Sequence, residues 1–313
     1  MNDMNNIITS PPTCGIWRLI FAFIILGFSA SIVMFHGTWI DGIVSGLLGG
    51  LVGLLLHLAS SAPAYAPVYD ITACAICAII GRALHQYCCF NASVIPALLI
   101  LLPGYNMTVS VMEITSKHVV TGTLRMGYAL IYTFMLAYGL RLGSYLYSVM
   151  DPESDSTGYC PTSTEISHWF YFLLFPIMSI GIGISYGSSA KQWFSQVLCA
   201  AVGFCVTYFL GDIITDSQIL GAISAFTVGL YGHLALKITG EPPISPISVG
   251  ITLLVPGSLG VKSVYAMLHL HDTSQSAFAL QMLNVAIGLS VGLIASAMIV
   301  YPSGKKRSLY ISL

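Results

Sequence analysis

Apolar runs of about twenty residues, parted by short polar turns, recur along the whole chain. A helix of that length crosses the hydrocarbon core of a bilayer, so each run predicts a membrane span. Ten are read, at 16–35, 41–58, 70–87, 93–114, 119–149, 168–187, 192–210, 218–238, 246–268 and 276–301. The longest polar connection, DPESDSTGYCPTSTE, lies between the fifth and the sixth and divides the spans evenly. Two positions interrupt the pattern. Pro103-Gly104 and Pro256-Gly257 each fall deep inside an apolar run, where proline removes a backbone donor and glycine weakens the helix further.

In hydrocarbon, freed backbone groups persist only inside protein or against a wet cavity. Paired broken helices at matching places in two halves are the sequence pointer to a transporter's binding site. Sliding one half over the other brings Leu101-Leu102-Pro103-Gly104 onto Leu254-Val255-Pro256-Gly257 and Ser110-Val111 onto Ser263-Val264. Five spans per half is an odd number, so the second half starts from the opposite side of the membrane. The expected fold is an all-α polytopic membrane protein of about ten transmembrane helices in a 5+5 inverted-topology repeat.

The division is then a short cytosolic N-terminus at 1–15, a first five-helix repeat at 16–150, a non-cytosolic polar loop at 151–167, a second repeat at 168–301 and a basic cytosolic tail at 302–313. Residues 1–15 lack the charged start and cleavage site of a signal peptide, which leaves targeting to the first span. Arg18, Lys117, Arg125, Lys191, Lys237, Lys305, Lys306 and Arg307 fall on one side, against Arg82, Arg141 and Lys262 on the other. That bias puts both termini in the cytosol.

Composition narrows the classes. Residues are 56% hydrophobic and 7% charged, with a formal net charge of -1, which leaves no basic patch for nucleic acid. Several of the eight cysteines lie within apolar runs, where Cys74-x-x-Cys77 reads as small hydrophobes rather than a redox pair. Cys88, Cys89 and Cys160 fall in loops, where a bridge between two of them is compatible with the spacing.

Half-helix termini at a break offer a positive dipole end to a carboxylate and free carbonyls to an ammonium group. Pro103, Gly104, Asn106, Pro256 and Gly257 are therefore the candidate substrate-binding residues, and a zwitterionic amino acid suits them. Either pair alone also reads as a packing kink. Charges within spans are costly and mark functional candidates. Glu113, Arg125, Lys262, His233 and Asp41 are the coupling or gating candidates. Glu113 also reads as an interfacial acid paired with Lys117 or, across the short loop, with Arg125. Asp41 and Asp70, at span starts, are explained as well by helix capping.

His269, His271 and Asp272 have the wrong spacing for a metal site, and no cofactor is expected. Gly183-Ile184-Ser185-Tyr186-Gly187 matches a hydrolase elbow in letters but sits at the end of an apolar run, so no enzyme is read from it. Gly42, Gly46 and Gly50, Gly139 and Gly143, and Gly288 and Gly292 are small-residue faces for close helix packing.

The run LLPGY, followed by Glu113, Ser116-Lys117, Gly122, Arg125-Met126, Tyr128-Ala129, Ile131-Tyr132, Gly139 and Gly143, resembles the threonine/serine exporter family, above all its fungal branch of pheromone-regulated membrane protein 10-like proteins. Phe35-His36-Gly37-Thr38-Trp39-Ile40-Asp41 is similar to that family's early glycine-tryptophan-aspartate turn. Gly221-Ala222, Gly229-Leu230-Tyr231-Gly232 and Val255-Pro256-Gly257-Ser258 resemble its C-terminal module. The resemblance implies secondary transport, with export of a small polar amino acid such as threonine or serine, driven in bacterial members by the proton gradient. Larger members carry a long hydrophilic region before the first span, where about fifteen residues stand here. Membrane lipid is the implied surround, and the glycine faces permit a homo-oligomer. A non-transporting multi-pass scaffold, for example in fungal mating or membrane remodelling, and a channel remain the alternatives. A cavity among the polar groups separates transporter from scaffold, and a continuous polar pore would mark a channel.

Overall fold

The computed structural model describes residues 15–151, 166–167, 169–211, 213–214, 216–239, 242–254, 261, 265 and 278–301. Every regular element among them is helical. The first half holds α1 (Ile16–Phe35), α2 (Trp39–Ser61), α3 (Tyr69–Ala83), α4 (Phe90–Ala97), α5 (Gly104–Thr115) and α6 (Val119–Ser148). In the second are α7 (Trp169–Ser185), α8 (Trp193–Gly211), α9 (Ser217–Thr239), α10 (Ile244–Leu254) and α11 (Phe278–Val300).

Six helices are long and apolar enough to cross a membrane, and α4 with α5 makes a seventh span when the bent pair is taken together. The remaining predicted spans appear as shorter helices. α3 stops at Ala83, ahead of a turn carrying His85 and Gln86. α7 stops at Ser185, just before Gly187, whose φ of 76° is left-handed and cannot continue the helix. α10 ends at Leu254, where the described residues pause. Large apolar side chains such as Leu47, Leu124, Ile131 and Phe172 point outward, a surface that suits lipid and not water.

Sequence dictates the corner between α1 and α2. His36 takes a left-handed φ of 52°, and Thr38 then caps α2 in a reciprocal box with Asp41. The two helices pack along their glycines. A Cβ on Gly49 would lie 2.5 Å from the Phe23 carbonyl oxygen, so the backbones approach more closely than any larger residue allows. The other glycine faces dock in the same way: Gly139 and Gly143 of α6 meet the backbone of Ile71 and Ala75 on α3, and Gly288 and Gly292 of α11 meet that of Gln218 and Ala222 on α9.

The halves interlock through α1 against α7 and α5 against α11. Ser290 on α11 donates to the Thr108 carbonyl on α5 at 3.2 Å. Arg82, buried at the end of α3, donates to the Tyr265 hydroxyl at 2.8 Å and lies over the Phe90 ring.

Candidate functional site

Between α4 and α5 the chain bends by 60°. α4 ends at Ala97, one turn of 3₁₀ helix spans Leu99–Leu101, and α5 begins at Gly104 with Pro103 in the N-cap position. Proline at that point lacks only a donor that no intrahelical carbonyl would take, and Pro103 carries no side-chain cap. Turn bonds hold the break: the Leu101 and Leu102 amides donate to the Leu98 and Leu99 carbonyls, and the Pro103 carbonyl accepts from the Met107 amide.

A cavity of about 270 Å³ opens beside this break. Ile100, Leu101 and Leu102 of the irregular segment form one wall, with Asn106 from the first turn of α5. Tyr69 and Asp70 from α3, and Tyr128 and Tyr132 one turn apart on α6, supply the rest of its polar lining. Phe23 of α1 and Leu56 of α2 close it with apolar surface. The Asp70 carboxylate and the Tyr132 hydroxyl interact electrostatically within the cavity lining. It does not cap α3: the cap position is Val68, and no side chain bonds there. Asp70, Tyr128 and Tyr132 are thus site residues that spacing alone did not single out.

The candidates from sequence separate into groups. Asn106 lines the cavity, and Pro103 and Gly104 shape the break beside it. Glu113 and Arg125 pair at 3.0 Å across the turn from α5 to α6, while Lys117 occupies that turn with a φ of 68°. Asp41 is buried and spends both oxygens on structure: one accepts from the Thr38 backbone and hydroxyl, the other from the Cys89 amide at 2.7 Å. His233 lies in the second half, buried edge-on against Tyr301, with Nδ1 lacking a partner. Pro256, Gly257 and Lys262 lie outside the described residues, as do His269, His271 and Asp272.

Cys74 and Cys77 are buried free thiols and Cys88 is a third, whereas Cys89 is disulfide-bonded. Ser185 donates to the Gly181 carbonyl within its own helix, as a helical serine does, and among the described residues no strand precedes it. Among the described residues no group of three or more His, Cys, Asp or Glu is placed to hold a metal ion.

Two family profiles match in tandem. Residues 1–147 match the one described as "Putative threonine/serine exporter", and residues 171–299 the one described as "Threonine/Serine exporter, ThrE". The chain belongs to the threonine/serine exporter family. An uncharacterized protein of Schizosaccharomyces pombe is 30% identical over 98% of this chain and 44% of its own length. Pheromone-regulated membrane protein 10 of Kluyveromyces lactis is 33% identical over 78% of this chain and 28% of its own length, and the Saccharomyces cerevisiae S288c protein of that name is 31% identical over 78% and 69%. The chain spans less than half the length of the S. pombe and K. lactis relatives. No solved structure matches it. Family membership with apolar helices of this length makes the chain an integral, multi-pass membrane protein.

Proposed function

We propose that this exporter-family chain is a secondary transporter that exports a small polar amino acid such as serine or threonine, coupled to protons, with both termini cytosolic. The observation that carries the reading is the cavity at the broken α4–α5 helix, where a carboxylate, an amide and three tyrosines converge. Its volume falls just below the roughly 300–1,000 Å³ typical of sites for drug-sized ligands, which suits a small solute. A packed scaffold has no use for such a space, so the cavity speaks against that alternative.

Ten spans in a 5+5 inverted repeat complete the proposal. Support comes from the glycine contacts: α6 on α3 and α11 on α9 use the same spacing of small residues against backbone carbonyls, in corresponding helices of the two halves. The Pro256-Gly257 segment is then the counterpart of the described break, and rocking one repeat against the other alternates access. Glu113 with Arg125 at the α5–α6 end, and Lys262 and His233 in the second half, serve as gating groups in this scheme.

Efflux of labelled serine and threonine from proteoliposomes, with and without a pH gradient, tests it. Flux that rises with the gradient is expected. Absence of flux for every amino acid tried overturns the reading.

A further inference from the structure

We infer, on the transport reading above, that Asp70 is an exchange site holding either a proton or the primary ammonium group of a small solute, never both. The groups that face it make the case. On α3 they are Tyr69 beside it and Cys74 one turn on; α6 presents Tyr128 and Tyr132, and α5 presents Asn106. α1 and α2 offer Phe23 and Leu56. No Lys, Arg or His is among the described lining residues, and Glu113 and Arg125, the charged pair of α5 and α6, neutralise each other.

A half-buried carboxylate within a membrane bundle, with no fixed cation among the described lining residues, is costly to leave charged and alone. Either a proton or a bound cation removes that cost. The surroundings select an ammonium: its three N–H donors find the carboxylate, the tyrosine oxygens and the Asn106 amide oxygen as acceptors, without a competing positive charge. Leu56, Phe23 and the irregular segment bound the rest of the space, which favours a compact primary amine over a bulky one.

The exchange balances as follows in atoms and charge. The carboxylic acid of Asp70 meets R–NH3⁺, its O–H bond breaks, the proton leaves to water, and a carboxylate–ammonium pair remains with no covalent bond formed. For a solute whose only charge is the ammonium, net charge in the cavity is zero before and after; zwitterionic serine brings its own carboxylate and leaves the cavity with one net negative charge after one proton is released. Solute loading on one side therefore requires proton release on that side, and reprotonation on the other expels the solute. One site with two mutually exclusive occupants gives one-for-one antiport without a separate proton pathway. Tyr132 remains in reach of the carboxylate in both states and orients it.

The purified full chain in lipid nanodiscs, with L-serine, ethanolamine and glycerate as probes, provides the test. Ethanolamine keeps the ammonium and lacks the carboxylate; glycerate is serine with a hydroxyl in place of the amine. Serine and ethanolamine are expected to bind, each releasing about one proton per protein in weakly buffered dye solution, with affinity rising about tenfold per pH unit while the empty site is protonated. Glycerate is expected neither to bind nor to release a proton. Asp70→Asn should weaken ethanolamine binding about tenfold or more and abolish proton release. Asp70→Glu should retain release, which shows that the fold survives change at this position.

Serine binding without proton release, proton release that persists in Asp70→Asn, or no binding of either amine overturns the site. Serine flux in proteoliposomes whose pH dependence is unchanged by Asp70→Asn overturns it too, and leaves the transport reading standing. Amine binding with Asp70-dependent proton release in a protein that moves no amino acid upholds the site and sinks the transport reading instead.

Discussion

Arg125 reaches back across the turn between α5 and α6 to Glu113, its Nη2 3.0 Å from Oε1. The side chains are 38% and 23% exposed, between the limits of a free surface pair and a buried one, and Oε2 of Glu113 is buried with no partner. Removing the cation alone leaves a partly buried carboxylate uncompensated. Arg125→Gln is expected to lower stability by about 1–2 kcal/mol, and the Glu113→Gln/Arg125→Gln double variant to recover part of the loss. A double-mutant cycle on thermal melts in detergent measures the coupling. Strictly additive losses would mean that the pair contributes nothing.

The glycine contacts give a sharper comparison. A Cβ at Gly143 or at Gly292 would run into the carbonyl of Ala75 or Ala222, backbone that cannot swing aside. Gly143→Ala and Gly292→Ala should each cost about 1–3 kcal/mol through forced separation of the helices. Gly127, on the same helix as Gly143, has nothing within 4 Å, and Gly127→Ala should leave stability unchanged or raise it by up to about 1 kcal/mol through helix propensity. Melting temperatures of the three variants in nanodiscs decide it, and matching losses at Gly143 and Gly292 are what a repeated architecture requires.

The break at Pro103-Gly104 was legible because it is backbone chemistry: proline and glycine interrupt a helix wherever they fall, and α5 begins at Gly104. The role of Asp41 at the start of α2 was legible for the same local reason, since a cap bonds within four residues. Asp70 was not. An acid near a span start reads as a cap, and what makes it a cavity residue is the packing of α3 against α6, which brings residues 70 and 132 together across sixty positions of sequence. The available signal was the pair Tyr128 and Tyr132, one helical turn apart on one face of α6. Three of the ten expected spans, α3, α7 and α10, are shorter helices among the described residues, where local stops such as Gly187 end them.

Asp41 tests the difference between a structural and a coupling carboxylate. Its oxygens accept from Thr38 and from the Cys89 amide, tying the start of α2 to the entry of α4. Asp41→Ala strands those donors and should destabilise by about 1–2 kcal/mol, with Thr38→Ala costing about 1 kcal/mol through the cap alone. Neither change is expected to alter the pH dependence of serine flux per folded molecule. A shifted pH profile in Asp41→Ala, at matched folded protein, would restore it as a coupling group.

Cys88 and Cys89 sit side by side with opposite chemistry. Burial pushes the Cys88 thiol up, and its Sγ donates to the Leu84 carbonyl at 3.3 Å, whereas Cys89 is already disulfide-bonded. Because the thiolate is the nucleophile, a raised value means less reactive sulfur at neutral pH. A hydrophilic maleimide at pH 7 should leave Cys88 unmodified in the folded protein and label it at once in denaturant. Labelling should climb about tenfold per pH unit through the range where a free thiol, near 8.5, has already levelled off. The linkage has the same sign: the folded state disfavours the thiolate, so this contribution to stability is intact below the free-thiol value and declines as pH rises above it. Mass mapping of the labelled peptide across pH 7 to 10 provides the measurement, and rapid labelling of Cys88 at pH 7 would contradict the buried placement.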